Sequence, residues 1–282
     1  MPIKAVLFDL GDTLWHFPKM PPAMEIRTET MRRISGVLKT WDIPLDGELR
    51  FLGREIRLGV ERADRAAYES DCVSPDFNEI VRGVANGMGL NLNYEQGAAL
   101  WDAWNIGGIT LGRSMFDDAY QTLDWLRDRG YRIGCVTNRV FGGPRFAEEL
   151  RELRLDTYFD STAISCDMGY TKPHPQIYQY VLDEMKVTPD ETAMVGDSLR
   201  ADVEASQALG ITAIWRRVRK PDPPHEDEQV GEGPHGDGDI TNKPATRAQT
   251  GRALGDFAGG EGVTPDYTIH TLWELTNLPI FQ

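Results

Sequence analysis

Short apolar runs alternate with helical patterns through the second half of the chain, and one compact run opens it. That first run, at residues 3–8, is interrupted only by Lys4 and is typical of a strand buried on both faces of a parallel sheet. Similar runs occur at 131–136, 192–195 and 211–215. Because strands that alternate with helices are joined by crossovers, the pattern predicts an α/β fold with a doubly wound parallel sheet.

Proline and glycine mark the ends of the intervening helices, since proline suits a first helical position and glycine a position just past the end. Pro173, for example, is predicted to start a helix. Near the end of the chain, residues 267–270 predict a strand, and Thr271 with Glu274 forms a capping-box pattern for a last helix. The predicted helices before it cover 120–126, 144–153, 173–185 and 199–209.

Residues 17–112 have a different texture, because helical periodicity replaces the alternation. Ile34 and Leu38, for example, fall on one apolar face of a first helix that is otherwise rich in arginine and glutamate. No convincing strand occurs in this block, so we interpret it as a helical cap domain inserted after the first strand. Its other helices are predicted around 48–66, 76–88 and 95–104.

The periodic pattern stops again at residues 217–263, which are rich in glycine, proline and acidic residues. This composition is typical of a flexible surface insertion. Because it lies near the carboxyl edge of the predicted sheet, a lid function is the alternative, although composition favours a surface excursion. The predicted core is then assembled from 1–16, 113–216 and 264–282.

Composition narrows the classes of function. The 282 residues are 40% hydrophobic, which is ample for a buried core, and the net charge is -14. Nucleic-acid backbones are bound by clustered lysine and arginine. The acidic balance therefore argues against a nucleic-acid partner, and most of the charge is interpreted as solvated surface.

The cysteines and the apolar runs predict the compartment. The three cysteines are widely separated and include no Cys-x-x-Cys pair, so neither a disulfide framework nor a zinc site is expected. The first apolar run is too short for a secretory signal, and no stretch reaches the roughly 18 apolar residues that span a bilayer. We expect a soluble cytoplasmic protein without a membrane partner.

Polar residues stand at the ends of two predicted strands, 3–8 and 131–136. Asp9 ends the first strand, and Gly11 allows a sharp turn that exposes its carboxylate at the edge of the sheet. Thr137 and Asn138 end the second strand, where a hydroxyl, an amide and free backbone N–H groups could bind phosphoryl oxygens. Taken alone, each of these groups is equally typical of a turn or a helix cap.

Lys172 and a pair of acidic residues complete the pattern. Lys172 precedes a helix and can project toward a cluster of carboxylates and phosphate. Asp197 emerges at the end of a third strand, and Asp202 lies early in the helix after it. Carboxylates of this kind near Asp9 suit Mg²⁺, which takes few carboxylates and shares its remaining positions with water and phosphate. The alternative for Asp202 is a pair with Lys172.

Four sequence blocks carry these residues, at 8–13, 136–138, 172–173 and 196–202. In this order, the four blocks resemble the haloacid dehalogenase-like hydrolase superfamily, whose core is a Rossmann-like sheet and whose phosphatases often carry a helical cap after the first motif. The similarity covers the core segments, whereas the cap matches only in position and helical texture. The resemblance implies that Asp9 is the nucleophile that forms an aspartyl-phosphate. It also implies that Thr137 binds phosphate, together with Asn138, and that Lys172 stabilises both Asp9 and the phosphate.

The resemblance further implies a Mg²⁺ site. Its protein ligands would be Asp9, the backbone carbonyl of Gly11 and Asp197, with Asp202 as a supporting acidic residue beside them. One departure concerns the general acid/base, because phosphatases of this family usually carry an aspartate two residues after the nucleophile. Gly11 occupies that position here, and the nearest acid is Asp12, one residue later. Asp12 is therefore either the acid/base or a residue that stabilises the turn.

The leading interpretation is a Mg²⁺-dependent phosphohydrolase of a small phosphorylated metabolite. A metal-independent dehalogenase-type hydrolase is the second, although Asp197 argues against it, since the resemblance implies that this ligand is lost in that branch. A binding or regulatory protein whose catalysis has weakened at Gly11 is the third.

His16 and His174 lie near the motifs, and a lone histidine beside a loop is usually structural. The sequence carries no signal for the substrate or the oligomeric state.

Overall fold

A central parallel sheet organises the chain in the computed structural model, which describes residues 2–218, 260 and 262–282. Its six strands lie in the order β5-β4-β1-β6-β7-β8, and all neighbouring pairs are parallel. β2 and β3 form a separate antiparallel pair. The strands are β1 (Ala5–Phe8), β2 (Trp15–His16), β3 (Ser114–Met115), β4 (Arg132–Thr137), β5 (Ser161–Ile164), β6 (Thr192–Gly196), β7 (Thr212–Arg216) and β8 (Tyr267–Ile269).

Helices pack on both faces of this sheet, as the alternating pattern predicts. One apolar cluster joins β1 and β4 to α5 and α6, and a second joins the other face of the same strands to α8. The predicted α/β class with a doubly wound, Rossmann-like sheet is therefore confirmed. The helices of this part are α5 (Ala119–Asp128), α6 (Gly143–Glu152), α7 (Ser165–Met168), α8 (Pro175–Met185) and α9 (Ala205–Ala208).

Four helices occupy the segment between β2 and β3, with bounds close to those predicted. They bury their own apolar cluster, which includes Ile34, Leu38 and Trp104 and extends to Val140 and Phe141 of the loop after β4. The interpretation of this segment as a cap domain stays a prediction. The helices are α1 (Ala23–Thr40), α2 (Leu52–Glu69), α3 (Phe77–Gly87) and α4 (Tyr94–Trp104).

Two features of the sheet region differ from the sequence-based expectation. β5 was not predicted, because only four residues form it and, as an edge strand, it pairs with β4 alone, so its apolar pattern is short. The helix expected to start at Pro173 begins at Pro175, because the Nδ1 of His174 accepts the N–H of Gln176 (3.2 Å) and caps it there.

Two other predicted helices differ from the expectation in their helix type. The predicted helix at 199–209 begins with a π-helical turn, Leu199–Glu204, before α9. The last helix has the expected capping box of Thr271 and Glu274 but is a 3₁₀ helix, Leu272–Asn277. Most of the predicted insertion at 217–263 lies outside the described residues. Within the described ranges, no helix has the length and apolarity needed to cross a membrane.

Candidate active site

The carboxyl ends of three neighbouring strands bring the predicted site residues to one edge of the sheet. β1 lies between β4 and β6, and Phe8 at its end pairs with Cys135 of β4 and Val195 of β6. Asp9 follows β1 directly, and its N–H donates to the carbonyl of Val195 in β6 (2.9 Å). Thr137 ends β4 and Asp197 follows β6. Because crossovers leave the central strand in opposite directions, this edge is where such sheets form a crevice.

Lys172 connects the first and last motifs. Its Nζ donates to Oδ1 of Asp9 (2.8 Å) and to Oδ1 of Asp202 (2.7 Å), and its side chain is fully buried. A buried ammonium is tolerated when carboxylates pair with it. The contact therefore fixes Asp9 in place from a residue far away in the sequence.

The carboxylates at this edge suit a divalent cation. Ligand oxygens of Asp9, Asp197 and Asp202 lie within 4.8 Å of one another. Oδ2 of Asp9 is buried and accepts no hydrogen bond from the described residues, although a buried carboxylate oxygen normally has a partner. With Lys172 as the neighbouring ammonium, the cluster keeps an excess of negative charge. An unpartnered oxygen in such a cluster is what Mg²⁺ would satisfy.

Asp202 has its oxygens occupied by the protein. Oδ1 accepts from Lys172, and Oδ2 accepts the N–H of Ser198 (2.9 Å). Burial raises the pKa of the Asp202 carboxyl, opposed by the Lys172 charge and reinforced by that of Asp9. We expect Asp202 to hold Lys172, as in the alternative drawn from the sequence, and to leave the cation to the other two carboxylates.

Asn138 uses its side chain to position Lys172. Its Nδ2 donates to the carbonyl of Lys172 (2.9 Å) and its Oδ1 accepts the Lys172 N–H (2.7 Å). The contact between Asn138 and phosphate that the sequence analysis expected stays a prediction. Thr137 is buried at the strand end, with 2% of its surface exposed, and its phosphate contact stays a prediction.

Gly11 and Asp12 form the sharp turn after the first strand. Asp12 has a φ of +54°, in the left-handed region that aspartate tolerates better than most residues. The carbonyls of Asp12 and Thr13 each accept a hydrogen bond from Nη1 of Arg216 at 2.7 Å. The carboxylate of Asp12 does not belong to the cluster of three described above. Its role as acid/base stays a prediction.

The same motifs lie within a region that matches a known family. A model of the haloacid dehalogenase-like hydrolase family matches residues 3–210, well over half of the chain and the whole span from Asp9 to Asp202. The chain belongs to this family. It is therefore a hydrolase, and the resemblance drawn from the four sequence blocks is confirmed.

Relatives of the hydrolase include enzymes of two kinds. A glyceraldehyde 3-phosphate phosphatase from Methanopyrus kandleri is 27% identical over 218 residues, 77% of this chain and 84% of the relative. A crystal structure of an HAD phosphatase from Thermococcus onnurineus has a TM-score of 0.51 at 24% identity, covering 98% of this chain and 97% of that chain. L-2-haloacid dehalogenase from Xanthobacter autotrophicus has a TM-score of 0.52 at 19% identity with the same coverage. The fold alone therefore does not choose between the two reactions.

The helical segment of the hydrolase contacts the edge of the sheet beside the site. The N–H of Thr171, next to Lys172, donates to the carbonyl of Cys72 (2.9 Å), and the N–H of Ser74 donates to the carbonyl of Gly169 (3.0 Å). These contacts join the loop between α2 and α3 to the segment that leads into Lys172.

A cavity of about 580 Å³ lies between α3, α4 and the loops that follow β4 and β5. Its walls combine aromatic and charged side chains, among them the ion pair of Asp102 and Arg145 (2.7 Å). Asp9 and Lys172 are not part of its lining. Other wall residues are Phe77, Tyr94, Trp101 and Phe141.

The two histidines near the motifs have structural partners. His16 stacks on Phe116, with ring centroids 4.2 Å apart, and His174 stacks on Tyr170 at 4.3 Å while capping α8. These contacts agree with the structural interpretation of both residues.

The sequence analysis missed two arginines at this edge. Arg216 holds the turn after Asp9, and Arg139 follows Thr137 and Asn138 directly. Both are buried with 3% of their surface exposed. The available signal was a basic residue at or just past the carboxyl end of a strand, a position that exposes polar groups to the crevice.

Proposed function

We propose that the hydrolase is a Mg²⁺-dependent phosphohydrolase of a small phosphorylated metabolite, with Asp9 as nucleophile. The supporting observation is the state of the Asp9 carboxylate. Lys172 holds one of its oxygens, while the other is buried, unpartnered and close to a second carboxylate. A carboxylate held in this way is oriented for nucleophilic attack.

In the first half of the proposed reaction, a carboxylate oxygen of Asp9 attacks phosphorus. An oxygen–phosphorus bond forms to Asp9 as the ester oxygen–phosphorus bond breaks, and the leaving oxygen takes up a proton. The hydroxyl of Thr137 and backbone N–H groups of its loop would donate to the phosphoryl oxygens, with the Lys172 ammonium nearby. In the second half, water attacks the aspartyl-phosphate, which releases inorganic phosphate and regenerates Asp9.

The residues for Mg²⁺ would be Asp9, Asp197 and the carbonyl of Gly11. When bound, the ion supplies positive charge that offsets the charge on the phosphoryl oxygens. The excess of carboxylates in the cluster supports this assignment, as does the retention of Asp197, which argues against a dehalogenase.

Asp12 is our candidate for the acid/base. Its turn is fixed by Arg216, so the side chain starts from a defined backbone position. Loss of a positioned acid/base typically costs about 10²- to 10⁴-fold in rate, most for leaving groups that need a proton. If Asp12 serves only to stabilise the turn, the enzyme would favour acyl and phenolic phosphates, whose leaving groups need little protonation.

A small substrate would suit the cavity between α3, α4 and the loops after β4 and β5. The cavity of about 580 Å³ falls within the range of small-molecule pockets, and we propose that α1 to α4 form a cap over the phosphate site. The relative from Methanopyrus kandleri is a phosphatase of a phosphorylated three-carbon compound by its name, which supports the same class of reaction here.

The test is a panel of alkyl, phenolic and acyl phosphates, assayed for phosphate release with and without Mg²⁺. We expect release that requires Mg²⁺ and is abolished in Asp9→Asn. Asp12→Asn should lower the rate for alkyl esters far more than for acyl phosphates if Asp12 is the acid.

Two outcomes would contradict the proposal. Phosphate release no higher than in Asp9→Asn on every substrate would favour a binding or regulatory protein. Chloride release from 2-chloropropionate without metal would favour the dehalogenase.

A further inference from the structure

Arg139 occupies a closely defined position beside the proposed phosphate site. It follows Asn138 at the end of β4 and is buried. The hydroxyl of Ser165 accepts the N–H of Arg139 (2.8 Å) and donates to its carbonyl (3.0 Å). The guanidinium carbon lies 4.2 Å from the centroid of the Phe146 ring, and Nε donates to the carbonyl of Phe141 (3.4 Å). The side chain is therefore fixed at both ends.

The charge of this guanidinium lacks a partner of its own. In the described part of the chain, no carboxylate lies within ion-pair distance of it, and the nearby Glu149 is already paired with Arg113. Glu149 attracts both guanidinium groups electrostatically, but its ion pair is with Arg113. Burial, with a smaller contribution from Arg113, lowers the pKa of Arg139 to about 9. Burial of an unpaired cation costs free energy, which a bound anion would offset.

Arg139 has neighbours in both the proposed active site and the wall of the cavity. The carboxylate of Asp9 and the thiol of Cys166 both lie within electrostatic range of the guanidinium. Cys166 and Phe141, whose carbonyl accepts from Nε, also line the cavity. Arg139 does not itself line the cavity, but it lies on the loop after β4 between Thr137 of the proposed phosphate site and Phe141 of the cavity wall. A substrate that reached from the phosphate site into the cavity would pass along this loop.

We propose that Arg139 binds a second anionic group of the substrate, a carboxylate or second phosphate near the ester that is hydrolysed, and so selects doubly anionic phosphate esters. This specificity rests on the proposed phosphatase function. A guanidinium suits the role because its planar fork binds carboxylate and phosphate oxygens in pairs.

The test compares three series of substrates with the full-length protein and Mg²⁺. These are carboxyalkyl phosphates, hydroxyalkyl phosphates of the same chain length, and alkanediol bisphosphates of the same length. Wild-type kcat/KM should be about tenfold or more higher for an anionic series than for the hydroxyalkyl series. The better of the two anionic series identifies the second group as carboxylate or phosphate.

Two variants and a control separate binding of the anion from general damage. Arg139→Met should lower kcat/KM for the preferred anionic series by about 10- to 100-fold more than for the hydroxyalkyl series. Arg139→Lys should retain part of the preference, because it keeps the charge without the fork. Arg151→Met removes an exposed arginine of α6 and should leave kcat/KM unchanged for the anionic and the hydroxyalkyl series.

Binding to the unaltered protein decides the question if Arg139→Met does not fold. Calorimetry should show that phosphonoacetate binds about tenfold or more tightly than ethylphosphonate. The proposal is overturned if wild-type protein hydrolyses both kinds of ester without preference, or if Arg139→Met lowers both series equally, while the phosphatase function stands in either case. If no ester is hydrolysed above the Asp9→Asn level, the phosphatase function fails, and the binding comparison alone decides the role of Arg139.

Discussion

Arg216 shows how one side chain can fix the geometry of the loop after Asp9 from another strand. It ends β7, is buried, and donates from a single nitrogen to the carbonyls of Asp12 and Thr13. Its guanidinium carbon lies 3.7 Å from the centroid of the Phe116 ring. Burial lowers the pKa of Arg216, opposed by the charges of nearby aspartates that include Asp12. We infer that it positions the turn after Asp9, the proposed nucleophile.

Arg216→Met should keep the contact with Phe116 but lose both hydrogen bonds to the turn. Since small displacements of reacting groups are costly, we expect kcat to fall about 10- to 100-fold with a smaller change in KM. Steady-state kinetics with the best phosphate ester would measure both. Arg217→Met changes the neighbouring, exposed arginine and should behave as wild type. An unchanged kcat in Arg216→Met would show that the turn holds without it.

At the scale of elements, the contact between β6 and the π-helical turn Leu199–Glu204 sets the position of Asp202. A Cβ atom placed on Gly196 would lie 2.1 Å from Cγ of Asp202, far inside contact distance. π-Helical turns are rare and occur often at functional sites. Here the turn places Asp202 over Gly196, where it accepts from both Ser198 and Lys172.

Gly196→Ala should therefore displace Asp202 and, with it, Lys172. We expect a loss of stability of about 1–3 kcal/mol from overpacking and a fall in kcat beyond what the lower stability explains. Thermal denaturation and kinetics on the same sample would separate the two effects.

Gly83→Ala is the matched control for this substitution. Gly83 lies inside α3, and a Cβ there would meet no atom within 4 Å. Alanine at such a site typically stabilises a helix by about 0.5–1 kcal/mol. Equal losses in both variants would contradict the role given to the close approach at Gly196.

For the whole molecule, the carboxylate cluster couples stability to the proposed cation. A ligand that binds only the folded state raises the free energy of unfolding by about 2.7 kcal/mol at 100 times its dissociation constant. Mg²⁺ should therefore raise the melting temperature, by about 2–4 °C for each kcal/mol in a protein of this size, and EDTA should reverse the shift.

Asp197→Asn should abolish most of this shift, because it removes a proposed ligand. Asp190→Asn removes an exposed carboxylate from the turn before β6 and should leave the shift intact. Differential scanning fluorimetry at several Mg²⁺ concentrations would compare the three proteins. A shift of the same size in Asp197→Asn would place the cation elsewhere.

The sequence was informative about elements and motifs to different degrees. The long helices α1 to α4 were predicted close to their observed bounds, because each repeats its apolar pattern over several turns. β5 was missed because an edge strand of four residues carries too few apolar positions. The start of α8 was placed two residues early, since a capping side chain can set a helix start as firmly as a proline does.

The sequence by itself determined the class of fold, the family and the residues available for chemistry, because periodicity and motif order are properties of neighbouring positions. Only the tertiary structure decided which partners those residues have. Asn138 holds the backbone of Lys172, a contact that its position in the sequence did not indicate. Arg216 and Arg139 reach the site from positions that spacing did not single out. The physical reason is that such contacts depend on how separate strands end side by side, and on which buried charges find a partner there.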